Sequence, residues 1–153
     1  MNQPILTVSK NRENTWEYEL GEDFEIEAGR QQIIVPKGYS YDGATIPSVA
    51  WQALYTPFDP IIIVPSLIHD WLYSNHQVSR LEADDIFKDL LLKNGVPSDK
   101  TRIVHIAVRL LGEEYWQNTA DELEYLRQLY SRIKTSPNLG LYKFPLDEMG
   151  IKD

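Results

Sequence analysis

The string His69-Asp70-Trp71-Leu72-Tyr73 holds the side chains of this chain best suited to chemistry. On a helix Asp70 and Tyr73 stand three apart and His69 and Tyr73 four apart, so all three project from one face. A histidine exchanges protons near neutral pH. An aspartate beside it either holds a cation through oxygen or orients a neighbouring ring. A buried, hydrogen-bonded cluster at a helix hairpin would use the same residues, because ion-pair networks imitate sites. A second string runs from Val35 to Pro47 and carries Asp42-Gly43, a tight-turn signal, with Thr45 three residues later. Asp42 either caps its own turn or delivers a carboxylate to a metal or to His69. Thr45 offers a hydroxyl, which as a nucleophile needs a base beside it. Nothing in the sequence demonstrates that base.

Helices must position most of these groups. Pro60 or Pro65 starts the first, which ends near Tyr73-Ser74-Asn75. At about 100° per residue Val64, Ile68, Trp71 and Leu72 share one face, and Ser66, His69, Asp70 and Tyr73 share the opposite one. Ser79-Arg80-Leu81-Glu82 is a capping box that opens a second helix to about Lys93, closed by Asn94-Gly95. Ala83, Ile86, Phe87, Leu90 and Leu91 form its inner stripe. Glu82, Asp85 and Asp89 face solvent, and Asp84 sits at the edge of the stripe, so Asp84 is predicted buried and Asp85 exposed. His69 precedes Ser74 by five residues and Asp84 follows Ser79 by five. At ~1.5 Å per residue both lie roughly 7–8 Å from the turn. In an antiparallel hairpin they come level, and a hydrogen bond from His69 to Asp84 or Asp42 is expected.

A third helix, about Asp99–Leu111, is capped by Ser98 and stopped by Gly112, with Ile103, Val104, Ala107, Leu110 and Leu111 inward and Arg102, His105 and Arg109 opposite. Thr119-Ala120-Asp121-Glu122 opens a fourth, to about Lys134, with Leu123, Leu126, Leu129, Tyr130 and Ile133 inward. The first third reads as β. Trp16, Tyr18 and Leu20 alternate with polar residues, as do Phe24, Ile26 and Ala28, and Gly21-Glu22-Asp23 between them suggests a hairpin. Ile33-Ile34-Val35 is a further β-rich run, and Ile5–Val8 a weaker one. The segment from Tyr39 to Pro60 reads as a structured connection, and the tail 135–153 as irregular.

The bulk numbers set bounds. The 153 residues are the size of one domain, 42% hydrophobic and 25% charged, enough for one core. No apolar run nears the ~20 residues of a membrane span, and the N-terminus lacks a signal-peptide pattern. With no cysteine, disulfides and zinc–thiolate sites are excluded. The net charge of −8 makes nucleic acid an unfavourable partner. His76 is expected to be solvated in the hairpin loop. Trp16, Trp51, Trp71 and Trp116 read as core. No Walker loop, His-Glu-x-x-His pair, dinucleotide fingerprint or Gly-x-Ser-x-Gly elbow is present.

Three segments together resemble the domain-of-unknown-function family numbered 1353, found in phages, prophages and some bacteria. They are Val35-Pro36-Lys37-Gly38-Tyr39 leading into Asp42-Gly43-Ala44-Thr45-Ile46-Pro47; Ile68-His69-Asp70-Trp71-Leu72-Tyr73; and Ala83-Asp84-Asp85-Ile86-Phe87, with Val108-Arg109-Leu110-Leu111-Gly112 further on. The likeness spans roughly residues 29–116. Family members usually carry serine where this chain has Thr45. The resemblance implies phage origin, in a bacterial host cytoplasm or a virion, and brings no activity. Separately, His69-Asp70-x-x-Tyr73 is similar to the active-site helix of secretory phospholipases. That likeness implies His69 as base for water, Asp70 on calcium and Asp84 steadying His69. This chain lacks the disulfides and the glycine-rich calcium loop of those enzymes.

The expected fold is α+β, a single domain over 1–153: a small N-terminal antiparallel sheet of three or four strands (β-rich 1–47) packed on a helical region (60–134) with an αα-hairpin. Two functions stand open. In the favoured one the protein binds a protein partner, a host factor or a virion or assembly component, and the His/Asp cluster is a staple. In the other it is a small hydrolase with His69 and Asp84 catalytic, Asp70 and Asp42 on a divalent cation (Ca or Mg), and Tyr73, Thr45 and Arg109 supporting.

Overall fold

The computed structural model describes residues 3–10, 16–42, 45–47, 50 and 59–116, in two compact units, one containing Pro4–Asp42 and one containing Gly43–Gln117. The architecture is α+β, with antiparallel strands followed by helices.

The strand unit holds β1 (Leu6–Lys10), β2 (Trp16–Leu20), β3 (Phe24–Ala28), β4 (Gln31–Val35) and β5 (Ser40–Tyr41). They form two sheets, β1-β2-β5 and β3-β4. The expected hairpin across Gly21-Glu22-Asp23 does not form, because β2 pairs with β1 and β5, whereas β3 pairs with β4. The reason is turn chemistry. Gly29 and Arg30 both have positive φ (57° and 64°), the two-residue geometry whose twist suits a hairpin. At the other turn Gly21 N–H donates to the Ile5 carbonyl, and Asp23 Oδ1 accepts from the Lys37 amide at 2.7 Å. Leu20 exchanges bonds with Gly38 and Tyr39, so the chain leaves β2 toward the β5 side. Tyr18, Leu20 and Phe24 are buried, as the alternation requires, and Ile33, Ile34 and Val35 have no exposure at all.

The helical unit contains α1 (Pro60–Asn75), α2 (Arg80–Lys93), α3 (Ser98–Leu111) and the single turn α4 (Glu113–Trp116). Asp59 caps α1 by accepting from the Ile61 amide, with Pro60 in the first turn, where a missing N–H costs nothing. Pro65 therefore lies inside the helix and leaves the Ile61 carbonyl without its usual amide. Asn94, at the end of α2, donates its side-chain amide to that carbonyl at 2.8 Å. Both faces of α1 are buried, the polar one included. Ser79 caps α2, its hydroxyl accepting from the Glu82 amide at 3.1 Å.

The third helix corrects two expectations. Its cap position is Pro97, and Ser98 is the first helical residue. Its inner face is Thr101, Val104, Ala107 and Val108, whereas Ile103, Leu110 and Leu111 are exposed. Val104 and Val108 join Phe87 and Leu91 of α2, Ile62 of α1 and Ile46 in one apolar core. That orientation places Arg109 toward Asp84, as described below. The predicted fourth helix (119–134), the tail (135–153) and most of the connection at 48–58 lie outside the described residues.

Candidate functional site

The turn between α1 and α2 makes the site. His76 ends α1 in the left-handed region (φ 56°), and Asn75 Oδ1 accepts from the Gln77 amide at 2.8 Å. The hairpin brings His69 level with Asp84, and His69 Nε2 stands 2.8 Å from Asp84 Oδ1. Tyr73, one turn along the same face of α1, donates its hydroxyl to that same oxygen at 2.6 Å. The second oxygen, Oδ2, takes Arg109 Nη1 at 2.8 Å and Arg80 Nη1 at 3.5 Å. Four donors thus converge on one carboxylate.

On the other side of the ring, His69 Nδ1 lies 2.9 Å from Thr45 Oγ1, and the same hydroxyl donates to Asp70 Oδ1. The result is a chain of polar contacts running Asp70–Thr45–His69–Asp84–Arg109. Its exposure is graded. Thr45 is half-buried, His69 and Asp84 are 0% exposed, and the Arg109 side chain is 31% exposed. The imidazole is held by ring contacts as well, with Tyr73 at 4.2 Å and Phe87 at 4.7 Å between centroids.

Charge follows from this surround. Burial pushes the His69 pKa below its ordinary value, against the opposing pull of Asp84, so the ring is neutral at pH 7. Burial alone would raise the Asp84 pKa. The hydrogen bonds from His69, Tyr73 and Arg109 outweigh it, and the carboxyl is held below the usual range. Tyr73 is pushed up, first by burial and then by its bond to Asp84, and stays a donor. An ionised Asp84 demands the His69 proton on Nε2. Nδ1 then turns its lone pair toward Thr45 Oγ1 and competes with Asp70 Oδ1 for the single hydroxyl proton.

Sequence reasoning paired His69 with Asp84 and set Asp84 inside and Asp85 outside; the structure has Asp84 at 0% and the Asp85 side chain at 54% exposure. It also placed Tyr73 on the His69 face. Arg80 was missed, although its i,i+4 spacing to Asp84 was a readable signal. Arg80 also donates to the Val108 and Arg109 carbonyls at 3.1 and 3.2 Å, tying the end of α3 to the cluster. Asp70 is 4% exposed in the helical unit, whereas Asp42 is an exposed residue of the strand unit. Among the described residues no group of three or more His, Asp or Glu is arranged to hold a metal ion. His76 is not a free loop histidine: it stacks on Trp116 at 3.8 Å, and its Nε2 meets the Trp116 carbonyl at 2.6 Å. His105 pairs with Asp85 at 2.8 Å. Among the described residues no helix is long and apolar enough to cross a membrane.

Comparisons with known proteins add family but no chemistry. The family model "Protein of unknown function (DUF1353)" matches residues 18–108, a span holding every residue of the cluster except Arg109. The chain is 28% identical over 103 residues to Uncharacterized protein y4jT of Sinorhizobium fredii (strain NBRC 101917 / NGR234), covering 67% of this chain and 31% of that protein. It is 28% identical over 74 residues to Uncharacterized protein y4iH of the same strain, covering 48% and 31%. The chain thus spans about a third of the length of these relatives. No solved structure matches significantly.

Proposed function

The chain belongs to the DUF1353 family of proteins of unknown function, and we propose that it is a small hydrolase in which the Thr45 hydroxyl is the nucleophile, His69 its base and Asp84 the group that orients His69. One observation carries this reading. A half-buried hydroxyl, an imidazole and a sealed carboxylate stand in line across the two ring nitrogens, at 2.9 and 2.8 Å. The base that a Thr45 nucleophile requires is therefore beside it. The nitrogens are used in the opposite sense from the familiar serine triad, with Nδ1 toward the hydroxyl and Nε2 toward the acid, which leaves the proton logic unchanged.

The reaction class is acyl transfer to water. The Thr45 hydroxyl turns from Asp70 Oδ1 to His69 Nδ1, and Thr45 Oγ adds to the carbonyl carbon of an ester or amide as its proton passes to that nitrogen. Asp84 stabilises the imidazolium through the Nε2 proton. The proton then moves to the leaving group as its bond to carbon breaks. Water enters, gives a proton to Nδ1 and attacks the acyl carbon, and Thr45 Oγ recovers the proton on release. Direct activation of water by His69 is less favoured, since the ring is fully buried and both nitrogens face protein groups.

The test is a panel of p-nitrophenyl esters together with a fluorophosphonate probe, followed by peptide mass mapping. Esterase turnover and a label on Thr45, both lost in His69→Ala and Thr45→Ala, support the reading. A folded protein that turns over none of the esters and takes no label sinks it.

A second reading rests on the saturation of the cluster. His69 and Asp84 are wholly buried, and both oxygens and both nitrogens are occupied. That is what a staple locking α1, α2 and α3 requires. On this reading the chain, phage-encoded, acts by binding a protein partner, a host factor or a virion component. Thr45→Ala then changes neither partner binding nor any turnover.

A further inference from the structure

In the acyl-transfer steps Asp70 only gives up the Thr45 hydroxyl, yet it is the residue that holds the nucleophile at rest. Asp70 is 4% exposed, and its Oδ1 accepts the Thr45 hydroxyl proton. Thr45, His69 and Asp70 belong to the same compact unit, and Thr45 Oγ1 is within bonding distance of both neighbours. One hydroxyl proton serves one acceptor at a time. A carboxylate takes it in preference to a neutral imidazole, because charge-assisted bonds are roughly twice as strong as neutral ones. The resting hydroxyl therefore points at Asp70 and away from its base. If Thr45 is the nucleophile, as proposed above, another donor must replace it on Asp70 before the attack.

Charge and bond lengths say which donor fits. A nearly buried carboxylate that loses a donor is destabilised unless the substrate supplies another. At attack the carbonyl carbon stands about 3–3.5 Å from the hydroxyl oxygen. In an acyl group with an α-amino substituent, the N–Cα and Cα–C bonds place the nitrogen about 2.5 Å from that carbon. Asp70 Oδ1 and the carbonyl carbon are then neighbours of the same Oγ1, so an α-nitrogen turned toward Asp70 comes within bonding reach of Oδ1. As an ammonium it also matches the carboxylate in charge.

We propose that Asp70 is a specificity-determining residue that binds the α-ammonium group of an aminoacyl ester or amide and thereby releases the Thr45 hydroxyl to His69. The assignment rests on the Thr45 mechanism. An acyl group without the ammonium leaves the hydroxyl with Asp70 and is cleaved slowly, as sites built around a polar partner reject analogues that lack it.

The test compares three thiobenzyl esters on the full chain: those of alanine, N-acetylalanine and propanoic acid, which differ at the α-nitrogen alone. Released thiol is followed with a thiol reagent, which the cysteine-free chain does not consume, and each rate is divided by that of uncatalysed hydrolysis. The alanine ester should exceed the other two in kcat/KM by at least about tenfold. Asp70→Asn should bring the three within about threefold of one another while the propanoyl ester is still cleaved. A merely structural Asp70 would slow all three alike and leave their ratios unchanged. Equal turnover of the three by the parent chain, with the fluorophosphonate label on Thr45, overturns the assignment and leaves the nucleophile standing. No turnover of any ester and no label removes both. A preference that survives in a folded Asp70→Asn chain overturns the role of Asp70. Should Asp70→Asn fail to fold, the parent's own ratios decide: a preference under about threefold overturns the proposal.

Discussion

Asp84 accepts from four side chains at once, and each donor has a different consequence. Tyr73 and His69 share Oδ1, so the His69 proton is committed to Nε2 and Nδ1 is left with its lone pair toward Thr45. Asp84→Asn keeps the shape, but an amide oriented to donate at that position would turn the His69 proton to Nδ1, where it blocks the hydroxyl. Activity should then fall by about 10³–10⁴, as wrong-tautomer substitutions do. The same substitution leaves Arg80 and Arg109 without their carboxylate, so melting must be measured beside turnover. Thr45→Ser separates the two functional readings more cleanly. It preserves the hydroxyl, so turnover on the ester panel should persist. Thr45→Ala should abolish it at a stability cost of about 1–3 kcal/mol, because it takes a donor from the buried Asp70 carboxylate. Equal melting shifts with no turnover in either variant would favour the staple. His69→Ala strands only one of four bonds to Asp84, and we expect a loss near the lower end of the ~3–5 kcal/mol of broken buried pairs.

Elements decide whether those residues meet, and here the sequence was legible in part. The depth of His69 and Asp84 in the hairpin could be counted, because a capping box and a turn marked the ends of both helices and helical rise is fixed. The face of α3 could not. Ile103, Leu110 and Leu111 out-compete Thr101 in hydrophobicity, but burial went to the face that fits Phe87 and Leu91 and points Arg109 at Asp84. The β2–β3 hairpin failed for a similar reason: alternation shows that a strand exists, not which strand pairs with it. The partner was settled by the two positive-φ residues Gly29 and Arg30, of which the arginine gives no warning. Two residues between elements are testable. A Cβ on Gly112 would clash with the Val108 carbonyl oxygen and lie 2.6 Å from the Tyr73 hydroxyl. Gly112→Ala should therefore displace Tyr73 from Asp84 and cost about 1–3 kcal/mol, readable in urea melts. Asn94→Leu removes the donor that replaces the missing Pro65 amide. The Ile61 carbonyl then has no partner, at about 1–3 kcal/mol, and Pro65→Ala in the same chain should recover most of that loss. Additive losses in the double variant would show that Asn94 acts elsewhere.

Acid acts on the whole molecule through the same two buried groups and through net charge. His69 has a folded pKa below its unfolded value, so between the two the unfolded chain holds a proton that the folded one refuses. Stability is full above the unfolded value near 6.5 and falls as pH drops below it. Asp84 is also depressed, so its contribution is present above its ordinary range near 3.9 and is lost as pH falls through the folded value. The two windows lie in sequence, histidine first. Between them the net charge of −8 is titrated toward zero near the isoelectric point of about 4.9, which removes the repulsion that keeps copies apart. Melting temperature should therefore fall between about pH 7 and 5, before Asp84 is protonated, and precipitation should begin near the lower end. His69→Gln keeps a polar group on Asp84 but cannot titrate, so its melting temperature should be flat across the upper window while the acid step below it remains. A parent protein whose melting temperature does not change between pH 7 and 5 would mean that His69 is not held neutral. The base at Nδ1, and with it the Thr45 mechanism, would then have no footing.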